Sequence, residues 1–211
     1  MSAGLETPSG KGAGDENFPV ASRLVAPRLR PHVLRYYAFA RAIDDIADNP
    51  DLAPGDKCAR LDAFAHALTD PGDTRPELAT AHRLREPLAE TGVPAEHGLD
   101  LVRAFKQDAV KGRYASWDEL MAYCRLSAAP VGRFLLDLHG EDRVLWPGSD
   151  ALCSALQVLN HLQDCAADYR GLDRVYLPEP WLEAAGGGVA DLSANAATPA
   201  VRAAIERCLD G

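Results

Sequence analysis

The chain has 211 residues, of which 47% are hydrophobic and 25% are charged, and its formal net charge is −9. This composition excludes a disordered chain and predicts one globular domain with a sizeable core. The acidic balance excludes a typical nucleic-acid-binding surface, which needs positive charge to neutralise phosphates. The acidic balance suits a site that collects Mg²⁺, although many cytoplasmic proteins are simply acidic.

Five scattered cysteines form no CxxC pair, which favours reduced thiols in a cytoplasmic protein over a disulfide framework or a zinc site. No apolar run approaches the ~20 residues that span a bilayer, so any membrane contact is expected to be peripheral. Residues 1–15 lack the apolar core of a signal peptide. They are expected to form a flexible lead-in to a single domain over 16–211.

Helical periodicity dominates that domain. Apolar positions three and four residues apart predict a first helix over 27–49, which Pro50 ends. Further helices are predicted over 56–68, 76–91, 94–111, 116–140 and 148–171, followed by a loop over 184–199 and a last helix from residue 199. Because no β-hairpin signal appears, the predicted fold class is all-α, a single helical bundle.

Local signals mark some helix ends. Ser116 and Glu119 have the spacing of a capping box at the start of the fifth helix, and Ser149 or Asp150 is expected to cap the sixth. Pro130 lies inside the apolar pattern of the fifth helix, where a proline costs ~3 kcal/mol. Two interpretations remain open: a kink that eases packing, or a bent helix whose small side chains leave room for a ligand.

The first helix carries an acidic stripe in the segment "FARAIDDIADNP". Asp44 and Asp48 lie one above the other on a helix, and Asp45 lies beside both. Tyr37 and Arg41 precede them at steps of three or four on the same face. Like charges at this spacing cost ~0.2–0.5 kcal/mol per pair, so either solvent or a divalent cation must favour the arrangement.

A second polar stripe lies on the sixth helix. Gln157, Asn160, Asp164 and Asp168 recur at i, i+3, i+7 and i+11, along one face. All four offer oxygen atoms, the hard donors that Mg²⁺ prefers. Either stripe alone is more typical of a solvated face. Two stripes that face each other across a cavity would instead gather carboxylates around Mg²⁺, which commonly bridges one or two carboxylates to substrate phosphates. The predicted partner is a diphosphate, with Arg41 as a further donor.

Three ordered segments carry a resemblance to a known family: "FARAIDDIAD", "YCRLSAAPVGR" and "LQVLNHLQDCAADYRGLDRVYLP". Together they resemble the squalene and phytoene synthase family, over about residues 16–180. The resemblance implies an isoprenoid synthase helical bundle with two aspartate-rich motifs across a central cavity. Family members continue through further C-terminal helices, so the resemblance implies that this chain lacks the last of them.

The resemblance also implies roles for matching residues. Asp44, Asp45 and Asp48 would belong to the first Mg²⁺-binding motif, whereas Asp164 and Asp168 would belong to the second. Tyr123 matches a tyrosine that assists the chemistry in relatives. Four further residues would contact the diphosphate or order the motifs: Tyr37, Arg41, Gln157 and Asn160.

Within the family, "ENFPVAS" and "SAAPVG" most resemble the hydroxysqualene synthases of bacterial hopanoid pathways. This implies Mg²⁺-dependent conversion of presqualene diphosphate to hydroxysqualene with loss of diphosphate. One alternative is the sister reaction, condensation of two farnesyl diphosphates to presqualene diphosphate by a prenyltransferase. The other is a truncated paralogue that keeps the fold without catalysis.

Overall fold

The computed structural model describes residues 5, 6, 8, 10, 20, 22 and 24–210. These residues form helices and connecting segments without a β-strand, which confirms the all-α prediction. They contain nine α-helices, α1 to α9, at Arg30–Asp48, Pro54–Thr69, Ala79–Thr91, Glu96–Asp108, Trp117–Ser127, Ala129–His139, Trp146–Leu172, Glu179–Ala184 and Pro199–Leu209. Short 3₁₀ helices lie at Pro76–Leu78, Arg143–Leu145 and Val189–Ser193.

Two sequence predictions fall on the start of the chain. The lead-in over 1–15 lies mostly outside the described residues, and so does most of "ENFPVAS". Among the helices that the structure describes, none has the length and apolar character needed to span a bilayer.

The helix predicted over 116–140 is two helices rather than one kinked helix. α5 ends at Ser127 and α6 starts at Ala129, with Ala128 between them at φ −118° and ψ −49°. Pro130 therefore occupies the first turn of α6, where its missing N–H leaves no helix acceptor unpaired. The predicted interior proline is thus a helix start, because the chain breaks before it.

Two caps also differ in part from the predictions. Ser116 Oγ accepts a hydrogen bond from the Glu119 N–H at 3.2 Å, as expected, but the Glu119 carboxylate accepts from Ala115 rather than from Ser116. The predicted cap of the long helix at Ser149 or Asp150 is wrong. α7 begins earlier, at Trp146, without a side-chain cap.

The buried side chains form two clusters. The first lies among α1 to α4 and α6, and includes Phe39, Ile43 and Phe64. The second lies among α4, α5, α7, α8 and α9, and includes Tyr123 and Tyr176. Residues of both clusters line a cavity, so the packing of the two halves shapes the cavity wall.

Gly132 lets α6 approach α7 closely. A Cβ atom at this position would lie 2.7 Å from Cys153 Sγ, and closer still to Ser149 Oγ. We expect Gly132→Ala to lower the free energy of unfolding by about 1–3 kcal/mol, because the added methyl displaces the Ser149 and Cys153 side chains from their places against α6. Urea denaturation measures the change.

Gly148→Ala is the matched control. Gly148 is exposed near the start of α7, and a Cβ atom there would meet nothing within 4 Å. Because alanine is the better helix former, this variant should be as stable as the unaltered chain or more stable. Equal stability of the two variants would contradict the close approach at Gly132.

Candidate active site

A cavity of about 540 Å³ lies between α1 and α7 and contains most of the predicted site residues. Its volume is in the range of small-molecule sites, ~300–1,000 Å³. Nine of the ten predicted residues line it: Tyr37, Arg41, Asp44, Asp48, Tyr123, Gln157, Asn160, Asp164 and Asp168. The two stripes predicted from the sequence therefore belong to the wall of one cavity.

Asp45 is the exception among the ten. Its carboxylate is buried and accepts hydrogen bonds from the Arg41 guanidinium at 2.6 and 2.9 Å. Because Asp45 is 100° around the helix from Asp44, it points away from the cavity, into α1's packed side. Arg41 also forms an ion pair with Asp44 at 3.1 Å. Asp45 thus holds the arginine that lies beside the cavity carboxylates.

The carboxylates of α1 are electrostatically crowded. Burial, and next the neighbouring charge of Asp48, raise the pKa of Asp44 to about 7, although the Arg41 guanidinium opposes the shift. Near neutral pH, Asp44 is therefore partly protonated while no cation is bound. A divalent cation at this position would relieve the repulsion between the two carboxylates.

The opposite wall belongs to α7, the longest helix. Only Val158 and His161 of its 27 residues are buried. The predicted stripe runs along the cavity face, with Gln157 and Asn160 partly buried and Asp164 exposed. Amide groups therefore line the stretch of this wall nearer the start of α7, and carboxylates line the turns that follow.

A buried polar network links α1 with α4, α5 and the segment after α7, and the sequence analysis missed three of its members: Asp108, Arg174 and Tyr176. The Asp108 carboxylate accepts hydrogen bonds from the hydroxyls of Tyr123 at 2.6 Å and Tyr176 at 3.1 Å. The Arg174 guanidinium lies 3.9 Å from the same carboxylate and donates to Asp48 at 3.0 Å. Burial raises the pKa of Asp108 to about 6, although Arg174 and the tyrosine hydroxyls lower it. Tyr123 is thus fixed by an acceptor on α4.

The segment after α7 carries Arg174 and Tyr176 into this network. The Val175 N–H donates to the Gly112 carbonyl at 2.8 Å, so the segment lies against the chain that follows α4. A Cβ atom at Gly112 would lie 2.8 Å from the Asp173 carbonyl oxygen, and only glycine fits there without a shift. Arg174 and Tyr176 both belong to the segment "DRVYLP", which is part of the family resemblance. Helical periodicity could not predict their partners, because the segment lies outside a helix.

His161 is a further cavity residue that the sequence analysis missed. Its ring stacks on Tyr176, with centroids 3.5 Å apart, and its Nε2 lies 3.0 Å from the amide nitrogen of Gln157. Burial, with a smaller effect of the nearby Arg174 charge, lowers the pKa of His161 to about 3. The imidazole is therefore neutral at physiological pH.

The rest of the cavity wall is largely apolar and aromatic. Tyr36 stacks on Phe134 with centroids 3.9 Å apart, and both rings line the cavity. Val33, Val131 and Leu135 extend this surface. The wall therefore joins a carboxylate-rich end to an apolar end.

The carboxylates around the cavity fit Mg²⁺ better than they fit a metal ion whose ligands all come from the protein. Among the residues that the structure describes, no three histidine, cysteine or carboxylate side chains lie close enough together to hold an ion by themselves. Mg²⁺ commonly takes one or two carboxylates and completes its shell with water and substrate phosphates. Carboxylates on two facing walls provide this kind of incomplete shell.

Comparison with solved structures gives the class of fold. A crystal structure of squalene synthase from Alicyclobacillus acidocaldarius superposes with a TM-score of 0.77 and 38% sequence identity. The match covers 92% of this chain and 73% of that one. The fold is that of the all-α isoprenoid synthases.

Sequence comparison gives the family. Residues 12–210 match the family described as squalene/phytoene synthase, and the chain belongs to that family. Hydroxysqualene synthase from Rhodopseudomonas palustris is 50% identical over all 211 residues, which correspond to 70% of that protein. Hydroxysqualene synthase from Zymomonas mobilis is 48% identical over 94% of this chain, and the chain spans 66% of its length.

Proposed function

We propose that the protein converts presqualene diphosphate to hydroxysqualene and diphosphate in a Mg²⁺-dependent reaction of squalene or hopanoid biosynthesis. The observation that carries this proposal is one cavity that combines two carboxylate-bearing helix faces with an apolar aromatic wall. The relatives named hydroxysqualene synthase, at 48–50% identity, support hydroxysqualene as the product.

The carboxylate-rich end would hold the diphosphate group of the substrate. Asp44 and Asp48 on α1, with Asp164 and Asp168 on α7, would hold Mg²⁺, which supplies Lewis-acid neutralisation of the leaving diphosphate. Arg41 places a fixed positive charge beside the α1 carboxylates, held there by Asp45. Diphosphate departure would thus occur where positive charge is concentrated.

The apolar end would hold the carbocation that remains. Tyr36 and Phe134 present aromatic surface, and a cation over an aromatic face gains about 0.5–2 kcal/mol. Tyr123 has its hydroxyl committed to Asp108, which fixes the orientation of its ring. The valine and leucine side chains of the same wall would surround the hydrocarbon part of the substrate with apolar surface.

The deciding experiment incubates the chain with Mg²⁺ and either presqualene diphosphate or farnesyl diphosphate, and identifies the products by mass spectrometry. We expect hydroxysqualene from presqualene diphosphate. Preferential consumption of farnesyl diphosphate would support the prenyltransferase alternative instead. No turnover of either substrate would support a paralogue without catalytic function.

Mg²⁺ binding should weaken in acid. With the pKa of Asp44 at about 7, a proton competes with the cation below that pH. For one displaced proton, we expect the apparent dissociation constant to be about tenfold higher at pH 6 than at pH 8. Titration calorimetry with MgCl₂ at pH 6 and pH 8 measures the two dissociation constants.

Two variants show whether the competing proton binds Asp44 or whether low pH weakens Mg²⁺ binding at another group. Asp44→Asn should bind Mg²⁺ more weakly at both pH values and lose most of the difference between them. Asp51→Asn, which removes an exposed carboxylate just after α1, should keep the full difference. The same dependence on pH in both variants would assign the competing proton to another group.

A further inference from the structure

His161 places an imidazole ring in the cavity wall, and its aromatic neighbours hold that ring in a fixed orientation. The residue is 9% exposed, lines the cavity and stacks on Tyr176 with ring centroids 3.5 Å apart. The ring of Tyr123 lies 5.9 Å away, centroid to centroid. The two ring nitrogens of His161 therefore keep constant positions in the wall.

A neutral imidazole is a nucleophile, because one of its nitrogens carries a proton and the other carries a lone pair. Burial, with a smaller effect of the Arg174 charge, lowers the pKa of His161 to about 3, so the ring is neutral at physiological pH. A carbocation can react with a free lone pair of this kind in two ways. It can form a carbon–nitrogen bond, or it can lose a proton to the nitrogen.

His161 also lies close to the proposed metal-binding turns of α7. It is three residues before Asp164, which is about 4.5 Å along the helix axis at a rise of 1.5 Å per residue, and both residues line the cavity. The carbon atom that loses the diphosphate starts bonded to it, next to these turns. The imidazole is therefore within the part of the wall that the proposed carbocation would meet first.

The Gln157 side chain occupies the lone pair of this imidazole. Gln157 lies one helical turn before His161 on the cavity face of α7, and its amide nitrogen is 3.0 Å from His161 Nε2. An amide nitrogen only donates hydrogen bonds, so Nε2 is the acceptor and Nδ1 carries the proton of the neutral ring. With both nitrogens committed in this way, the ring offers the cavity no free lone pair.

The nucleophilic groups beside His161 are engaged in the same manner. The hydroxyls of Tyr123 and Tyr176 donate to the Asp108 carboxylate at 2.6 and 3.1 Å, so each oxygen of this carboxylate accepts one hydrogen bond. In this cluster, the imidazole would be the nucleophile without a donor if Gln157 were absent. The hydrogen bond from Gln157 completes the pattern.

We propose that Gln157 is a positioning residue that masks the His161 lone pair from the carbocation and so keeps the reaction on the path to the alcohol. This inference rests on the proposed function. The carbon–oxygen bond of the diphosphate ester breaks, and both electrons leave with the diphosphate. Water then forms the new carbon–oxygen bond and loses one proton to the released diphosphate. Gln157 suppresses two competing fates of the cation: alkylation of Nε2, which leaves an alkylated imidazolium, and proton transfer to Nε2, which leaves an alkene.

The test follows the partition of products in Gln157→Leu, which removes the donor and keeps a side chain of similar size. The variant is incubated with Mg²⁺ and presqualene diphosphate, and mass spectrometry measures hydroxysqualene, alkene products and the alkylated peptide that contains His161. We expect the ratio of hydroxysqualene to the two side products to fall about tenfold, the factor that corresponds to one ordinary hydrogen bond. An unchanged ratio with weaker binding of inorganic diphosphate would make Gln157 a diphosphate ligand and overturn the inference.

A second substitution tests the lone pair itself. His161→Phe keeps an aromatic ring in the wall and removes both nitrogens, so the double variant Gln157→Leu/His161→Phe should form no adduct at residue 161 and recover the product ratio of the unaltered chain. Gln163→Leu makes the first substitution at an exposed position of α7 outside the cavity and should leave the ratio unchanged. A double variant that keeps the low ratio of Gln157→Leu overturns the inference.

The tautomer of His161 provides a readout that needs no turnover. Nitrogen-15 NMR of the unaltered protein at pH 7 should show an unprotonated Nε2 and a protonated Nδ1, and Gln157→Leu should shift the Nε2 resonance. A proton on Nε2 in the unaltered protein overturns the inference while the proposed function stands. If the unaltered chain does not consume presqualene diphosphate, the proposed function fails, and the inference fails with it.

Discussion

The Asp164→Ala variant should lose about a thousandfold or more in turnover of presqualene diphosphate, equivalent to about 4 kcal/mol, and keep its melting temperature. Asp164 lies exposed on the cavity face of α7, so its loss would remove one of the proposed Mg²⁺ donors and leave the core intact. The substitution also relieves repulsion with Asp168 one turn later. A product assay with Mg²⁺ and a thermal melt without it measure the two effects.

Two controls accompany this variant. Gln163→Ala alters an exposed neighbour on α7 outside the cavity and should change neither property. Asp45→Ala should lower both turnover and stability, the latter by about 1.5–3 kcal/mol, because Asp45 is a buried hydrogen-bond acceptor for Arg41. Full activity in Asp164→Ala would remove this residue from the metal assignment.

The second large effect concerns the buried network. We expect Asp108→Leu to lower the free energy of unfolding by about 3–5 kcal/mol, because it takes one charged partner from the buried Arg174 guanidinium. The hydroxyls of Tyr123 and Tyr176 lose their acceptor in the same step. Urea denaturation of the apo protein measures the change at pH 7.5.

Asp108→Asn and Tyr123→Phe separate the contributions to this effect. Asparagine removes the charge and keeps an acceptor oxygen for one of the two tyrosine hydroxyls, which donate to different carboxylate oxygens of Asp108. Tyr123→Phe removes one hydrogen bond of about 1 kcal/mol. Both should be more stable than Asp108→Leu. If Asp108→Leu matches the stability of the unaltered protein, Arg174 is sufficiently paired by Asp48, and the network is not needed for folding.

The pH dependence of stability gives an independent check on Asp108. Its pKa is raised to about 6, so between about pH 4 and 6 the folded state binds more protons than the unfolded state. The contribution of Asp108 to stability is therefore largest in acid and decreases as the pH rises through 6. In Asp108→Asn this contribution should disappear from the stability profile.

Periodicity predicted the two carboxylate faces well. Asp44 and Asp48 are four residues apart on α1, and the stripe from Gln157 to Asp168 follows the repeat of α7. A helix fixes which of its own residues share a face, and eight of the nine residues in the two stripes lie around one cavity. Tyr123, which the family resemblance predicted, lines the same cavity. Their roles in metal and diphosphate binding stay predictions.

Other features of the site depend on contacts that periodicity does not contain. Asp45 adjoins Asp44 in sequence, yet its neighbours in space make it an anchor for Arg41. Asp108 and Arg174 lie in different segments, and only the packed structure brings their charges within 3.9 Å. Periodicity also did not predict the helix break at Ala128, because the apolar pattern continues on both sides of this residue.

The bridge from Arg174 to Asp48 has a consequence for folding kinetics. Its two ends are 126 residues apart in sequence, and the contact between Arg174 and Asp108 closes a segment of 66 residues. Closing such long loops costs entropy before the contacts are made, so contacts of this kind form late in folding. We therefore expect the cavity that joins α1 to α7 to be completed late in folding. If Mg²⁺ binds across that cavity as proposed, we expect it to slow unfolding rather than to accelerate folding.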